Sequence, residues 1–429
     1  MTVKQDDKLA SVDTSITIVG AGIVGLTAAI ALQRSGYLVT VIDKEGAGSG
    51  ASKGNAGHFA TEQMFPLADP AMLLKLPGML LDPLGPFRIQ PKYFFKALPW
   101  FSRFLLNMLP AKRQHNQWAI TLLNQAAIDA MVELVDYCQC PELLTLNGSL
   151  LVFESASEKT VNAQYQAYLN AGVKVTLLSG DDVRQLEPSL SSAITHALFF
   201  TEVGHTIDPF ELCQALERKF LANGGKVILD AVDSVTSKSA EKNQLGLTLA
   251  SGNHHQANQL LVAAGAWSKP LVKQLGYHVP LETERGYHLM MPQRSTLSRP
   301  VASFDRKFII TPMKHGTRLA GTVEFGGLKA PLVEARADCL LPHAKAILPA
   351  LFAQAKVSDG ERWMGFRPSL PDSLPVLGKS GQHDNVYFSF GHQHLGLTWS
   401  AITAKLIQQQ VVGEQLQINL QPYSIERFN

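Results

Sequence analysis

The chain has 429 residues, 46% of them hydrophobic and 17% charged, with 38 Lys and Arg against 36 Asp and Glu. That length predicts about two domains, and a formal net charge of +2 leaves no electrostatic footprint for a nucleic-acid partner. The four cysteines, Cys138, Cys140, Cys213 and Cys339, supply neither a zinc knuckle nor an iron–sulfur ligand set, so no metal site is expected and a reducing cytoplasm is the simplest setting.

The first residues, MTVKQDDKLASVDTS, carry acids and no apolar core segment; they predict a loose tail and not a secretory signal. Residues 16–43 then read ITIVGAGIVGLTAAIALQRSGYLVTVID. An apolar run enters Gly20-x-Gly22-x-x-Gly25, a helical segment follows, Gly36 closes it, and a second apolar run ends on Asp43. Strand, glycine turn, helix, strand and terminal carboxylate in that order describe a dinucleotide-binding unit. Gly20 permits the tight turn, Gly22 lets a pyrophosphate approach the backbone, and Gly25 lets the helix lie close on the strand. Ala21, Ile23 and Val24 fill the turn, where free N–H groups at a helix N-terminus meet phosphate. Asp43, followed by Lys44, is placed to accept hydrogen bonds from an adenosine ribose.

A small-residue loop at 46–57 carries Ser52, Asn55, Ala56 and Gly57, residues able to wrap a flat ligand at close range. No stretch holds the roughly 18 uninterrupted apolar residues of a spanning helix. The most apolar candidate, at 71–81, is broken by Lys75, Pro77 and Gly78, and no bilayer-spanning segment is expected. Residues 83–128 contain no acid, while Arg88, Lys92, Lys96, Arg103, Lys112 and Arg113 interleave with aromatic residues. Trp100, Phe101, Phe104, Leu105, Met108 and Leu109 fall on one helical stripe bounded by Pro99 and Pro110. Such a stripe either lies in an anionic headgroup layer or packs on the second domain with its basic residues in water.

Residues 119–200 alternate between helical and strand-like runs without a motif. A helix capped at Asp208 and stopped at Gly224-Gly225 leads into the strand KVILDAVDSV and then QLLVAAGAWS, both read as returns to the nucleotide-binding sheet. The segments RGYHLMMP, FIITPM and GTRLAGTVEFGG alternate like antiparallel strands with glycine turns. The last segment reads as a loop, a strand, a glycine-rich turn and a final helix from about Leu397.

These motifs, with SKGNAG, LLVAAGAWS, ERGYH, GFRPSLPDSLPVLG and GHQHLGLTWSA in order, resemble the FAD-dependent D-amino-acid oxidase superfamily over nearly the whole chain. The chain is most similar to bacterial D-amino-acid dehydrogenases. The resemblance implies an α/β fold: a Rossmann-like FAD-binding domain at 14–60, 201–280 and 361–429, with an inserted α+β substrate domain, built on an antiparallel sheet, at 61–200 and 281–360. It implies bound FAD and oxidation of an amine next to a carboxylate, with electrons passed to a quinone, another respiratory acceptor or oxygen. It places Val232 at the adenine, Ala264, Gly265 and Trp267 at the turn passing the cofactor, and Gly391, His392, Leu395, Gly396, Leu397 and Thr398 beside the pyrimidine end of the isoalloxazine. There a helix N-terminus would stabilise the negative charge of the reduced flavin.

Arg367, in the G-x-R-P motif of the family, is expected to pair with the substrate carboxylate, for which a guanidinium fork is matched; the alternative is a structural ion pair with Asp372. A neutral amine drives hydride from Cα to flavin N5, so positioning supplies most of the catalysis. The amino group must first lose a proton, to Tyr287, His58, His392 or water. His58 stands where simple D-amino-acid dehydrogenases are expected to carry Gln, which opens cyclic D-imino acids such as the prolines as substrates. Rival readings are a glycine or sarcosine-type amine oxidase using oxygen and a catalytically silent flavoprotein subunit of a membrane-bound complex. The location expected is cytoplasmic, with peripheral contact to the inner membrane as an option.

Overall fold

The computed structural model describes residues 14–71, 84–237 and 244–428. The N-terminal tail and most of the apolar run at 71–81 lie outside them. The two apolar runs flanking the glycine turn become neighbouring parallel strands, Ser15–Val19 and Leu38–Asp43. Gln259–Val262 pairs on the other side of Ser15–Val19, in a register that sets Val19 between Ile42 and Val262. Lys226–Leu229 and Val386–Phe390 extend the sheet outward, and Val376–Lys379 adds an antiparallel edge. The near-continuous apolar character of the central strands is what a parallel sheet covered on both faces requires.

One face carries the helix Ile23–Arg34 and the final helix Gly396–Val412. Leu26, Ala29, Ala401 and Ala404 share their core, and Thr27 Oγ1 donates to the Ser400 carbonyl at 3.0 Å. The other face is covered by an antiparallel meander, Val232–Ser237, Leu245–Leu249 and His254–Ala257, with the helix Ser268–Gln274.

The second sheet has nine strands. Glu361–Ser369 lies at its edge, followed by Glu282–Met291, Gly316–Phe325, Phe308–Met313, Val301–Ser303, Ser149–Phe153, His196–Phe200 and Val175–Ser179, with Phe87–Ile89 alongside Gly316–Phe325. A two-stranded ribbon, His58–Phe59 with Gly204–His205, connects the regions.

Four sequence expectations change. The run KVILDAVDSV is two strands in two sheets, because the chain leaves the parallel sheet at Asp230, whose N–H still donates to the Asp43 carbonyl at 2.9 Å. Glu361–Ser369 belongs to the second sheet, paired along its length with Glu282–Met291, so that sheet extends past 360. Its Pro368 is tolerated because the strand is an edge. Pro99 lies inside the helix Phe94–Leu106 and does not bound it. On that helix Trp100 and Phe104 turn inward and stack at 5.0 Å over Phe325, with Met108 in the same cluster, whereas Leu105 and Leu109 are exposed. Finally, Pro110–Tyr137 is long and apolar enough by composition to cross a membrane. Its inner face, with Ile120, Leu123, Ala127, Met131 and Leu134, is part of the protein core.

Candidate active site

The glycine turn has three separate geometric roles. Gly20 has φ +114°, and a Cβ on it would lie 2.4 Å from the Ala263 carbonyl oxygen. A Cβ on Gly25 would lie 1.9 Å from the Gly20 carbonyl oxygen, so only glycine lets helix and strand touch. Gly22, by contrast, borders a cavity and has only Ser52 Oγ near its Cβ position, at 3.4 Å. Ser52 Oγ accepts from the Ile23 N–H at 3.0 Å, and no N-cap side chain takes the other free N–H groups of this helix. Asp43 ends its strand with Oδ2 accepting from the Ala21 N–H at 2.7 Å and Oδ1 from the Glu45 and Gly46 N–H groups at 2.8 and 3.0 Å. Lys44 Nζ sits 3.9 Å from the Trp267 ring centroid.

Past this turn the 50–57 loop is clasped by the second sheet. Arg318 Nη1 donates to the carbonyls of Asn55 and Lys53, and His288 Nδ1 donates to the Gly54 carbonyl at 3.0 Å. Burial brings Arg318 down to about 10 and His288 down to about 3, which leaves that imidazole neutral. Trp363 stacks on His288 and covers Gly54, where a Cβ would fall 2.2 Å from its ring. Asn55 Oδ1 accepts from the Gly57 N–H at 2.8 Å.

At the far end, Gly391 has φ +82°, and Gln393, at φ +52°, is held by its Nε2 donating to the Leu370 carbonyl. Gly396 and Leu397 open the final helix at the cavity wall. His392 is buried beneath them, its Nε2 3.2 Å from Thr403 Oγ1, and burial takes it down to about 3. Thr398 Oγ1 accepts from the Ala60 N–H at 3.0 Å.

Between these ends lies one cavity of about 1470 Å³, more than the roughly 300–1,000 Å³ of an ordinary small-molecule site. It is bordered by Gly20, Gly22, Ile23, Val24, Asp43, Lys44, Ser52, Asn55, Ala56, Val232, Ala264, Gly265, Trp267, Gly391, His392, Gly396 and Leu397. Ala21, Gly25, Gly57, Leu395 and Thr398 stand behind that wall and shape it from there.

The three candidate catalytic residues border it too. Arg367 lies opposite Glu284 in the strand register, with its guanidinium across Gly286, 2.8 Å from where a Cβ would be. Among the described residues it makes no hydrogen bond or ion pair: Asp372, the alternative partner, is held by Arg427 Nε at 2.8 Å, and Glu284 accepts from Ser369 Oγ at 2.6 Å. Burial lowers Arg367 and raises Glu284, each opposed by the other's charge. Tyr287 is committed elsewhere. Its hydroxyl donates to Glu324 Oε2 at 3.0 Å, beside the Arg285 guanidinium at 2.9 Å, and burial pushes it up to about 12. It therefore offers the cavity a ring and no free base. His58 Nε2 lies 3.6 Å from Glu62 Oε2.

Three residues of this end escaped the sequence reading. Glu62 carried no motif, although it sits four residues after His58, and Glu284 opens the ERGYH motif without having been singled out. His394, two residues after His392, is brought down to about 3 by burial and then by the Arg367 and His58 charges.

A family model described as FAD dependent oxidoreductase, DAO, matches residues 15–410. The chain belongs to the DAO family. A protein of Bradyrhizobium diazoefficiens named D-amino-acid oxidase is 35% identical over 417 residues, covering 96% of this chain and 98% of that one. A Vibrio vulnificus protein named D-amino acid dehydrogenase is 27% identical, covering 93% and 96%. Glycine oxidase from Geobacillus kaustophilus has the same fold, with TM-score 0.69 at 20% identity over 96% of this chain and 97% of that one.

FAD is the cofactor of this DAO-family enzyme, and the residues present fit it. One helix N-terminus opens on the cavity at Gly22 and a second at Gly396, the first suited to a pyrophosphate and the second to a ring that becomes anionic on reduction. The open Cβ position of Gly22 admits a ligand against bare backbone, and Asp43 is a fixed carboxylate at one end of the cavity.

Proposed function

We propose that this enzyme oxidises D-amino acids or cyclic D-imino acids to the imine and passes the electrons to a quinone or another respiratory acceptor. The observation that carries the reading is the Arg367 guanidinium over Gly286, without a hydrogen bond or ion pair among the described residues, inside the cavity that also contains the nucleotide turn. A substrate carboxylate would complete it as a bidentate pair. Arg367 then fixes the substrate's orientation; the missing side chain of Gly286 leaves room for its guanidinium and that of Gly365 for the Trp363 ring, which shields the loop side. The chemistry supplied by FAD when bound is acceptance of the hydride leaving Cα. Gly20, Gly22 and Val24 would hold its pyrophosphate, Asp43 its ribose, Val232 its adenine, and Gly396 and Leu397 its pyrimidine edge. The curated relatives named for D-amino acids support the stereochemical part of the reading.

The test is a dye-coupled assay of the purified flavoprotein against paired D- and L-amino acids, the prolines included. Turnover of the D series is expected; turnover confined to L-amino acids, or to glycine and sarcosine, overturns it. Oxygen is the rival acceptor, favoured by the 35% identical relative, which is named an oxidase. Slow reoxidation of the reduced flavin by air, with fast reoxidation by a quinone, is expected; the reverse assigns oxygen.

The quinone part draws support from the cavity rim. Phe94, Leu98 and Leu105 border the cavity and are exposed, next to Phe95 at 80% exposure and to exposed Lys96 and Arg103. We infer peripheral contact of this face with an anionic membrane on the cytoplasmic side. Co-sedimentation of the whole enzyme with phosphatidylglycerol vesicles at low salt checks it, and no binding removes it.

A further inference from the structure

We propose that Glu62 is the positioning residue for His58, and that the pair takes the proton from the substrate's ammonium group. The inference rests on the amino-acid reading above. The two side chains are 10% and 4% exposed, border the cavity, and face each other with Nε2 and Oε2 3.6 Å apart. Neither of those atoms has a hydrogen-bond partner among the described residues, and at that separation each lies just beyond hydrogen-bonding reach of the other. A buried carboxylate oxygen without a donor is costly, and the imidazole N–H facing it lowers that cost once the gap closes to hydrogen-bond length.

Both partners are fixed by their backbone. His58 is held in the ribbon opposite His205. Glu62 follows Thr61, whose Oγ1 donates to the Glu202 carbonyl at 3.0 Å, and its Oε1 accepts from Gln63 Nε2 at 3.2 Å. The other ring nitrogen of His58, Nδ1, has no hydrogen-bond partner among the described residues and is not fully buried, which leaves it facing the cavity that His58 borders. A carboxylate behind an imidazole whose second nitrogen points at the substrate is the arrangement of an oriented general base.

The neighbours make the choice specific. His205 is pushed down to about 4 by burial, then by the His58 and Arg299 charges, and His394 to about 3 by burial, Arg367 and His58. The Tyr168 hydroxyl is raised by burial and by the Glu62 carboxylate. Of the three imidazoles at this end, His58 alone has a carboxylate partner among the described residues. In the step itself an ammonium N–H bond breaks, the proton bonds to His58 Nδ1, and the electron pair stays on the substrate nitrogen. The imidazolium then donates through Nε2–H to Glu62; no electron changes hands. The freed lone pair is what the subsequent loss of hydride from Cα requires.

The experiment follows anaerobic bleaching of the holoenzyme flavin by D-alanine and D-proline from pH 6 to 10 in the wild type, Glu62→Gln, His58→Gln and the double variant, each checked for flavin content and Tm. Both single variants should lose about 100-fold at pH 7, within the range for general acid–base catalysis, regain most of the rate near pH 10, where solvent frees the amine, and be no worse in combination. A loss of equal size at every pH, or no loss, overturns the proposal. A second measurement needs no substrate: the histidine ring-proton resonance missing from His58→Gln should titrate at lower pH in Glu62→Gln than in the wild type. An unmoved titration overturns the pairing whether or not D-amino acids are substrates. Failure of both D-amino acids to bleach the flavin counts against the reading of function, and the titration then decides the pair by itself.

Discussion

The two ends of the cavity are built on opposite principles. At the nucleotide end the working groups are backbone N–H donors and missing side chains: Gly20, Gly22 and Gly25 within one turn, with a single carboxylate, Asp43. At the substrate end they are charged and aromatic side chains from four distant stretches, Glu62, Glu284, Arg367 and His394, brought together by strand register and loop packing. A site made of backbone is intolerant of added atoms, because there is nothing flexible to move aside. A site made of side chains tolerates changes of shape and fails when a charge is removed.

The contrast can be broken at either end. Gly25→Val forces a side chain into the Gly20 carbonyl, an overpacking cost of about 1–3 kcal/mol or more. Purified protein should carry little flavin absorbance and show a lowered Tm; full flavin occupancy would mean the turn is looser than its geometry. Arg367→Ala removes a charge and no backbone contact. The expected loss is about 2–5 kcal/mol, or roughly 30-fold to several thousand-fold in kcat/KM, carried by KM, with the flavin spectrum intact. Arg367→Lys should recover only part of it, since a point charge does not reproduce a fork.

A smaller effect tests how dry the shared wall is. His288 and His392 sit near 3 in the fold against an ordinary 6.5, both through burial. The unfolded chain therefore binds protons first, and the stability they contribute is full above about pH 6.5 and lost as pH falls from there toward 3. Urea midpoints at pH 7 and pH 4.5 should diverge less in His392→Gln than in the wild type. The smallest expected effect belongs to Lys44. Lys44→Met removes its contact with Trp267, worth about 0.5–1 kcal/mol, and should weaken FAD binding about two- to five-fold by flavin titration of the apoprotein.

The same contrast explains what was legible in the sequence. The nucleotide turn could be read because its requirements are local: a positive φ at Gly20 and a close approach at Gly25 leave only glycine, and the spacing is fixed by one strand and one helix. Arg367 was legible only through the family motif. Glu62 and His394 carry no local signature, since their meaning comes from the ribbon that sets His58 opposite His205 and from the turn that brings His394 near Arg367. Tyr287 shows the reverse case. It borders the cavity as the ERGYH motif suggested, but alternation along the strand turns its hydroxyl to Arg285 and Glu324, which no pattern within the motif reveals. The edge strand Glu361–Ser369 reads in the sequence as the loop that opens the last segment, while its pairing is decided by a partner strand, Glu282–Met291, far earlier in the chain.

The clasp on the 50–57 loop has a consequence in time. The loop emerges early in synthesis, but Arg318, His288 and Trp363, which fasten it, come from the last third of the chain, and the sheet begun at Ser15 receives Val386–Phe390 later still. Until those residues leave the ribosome the cofactor's bed has a floor and no sides. Flavin loading is thereby a late event of biogenesis, and a nascent chain cut short before Trp363 holds the fingerprint for a nucleotide without the means to keep one.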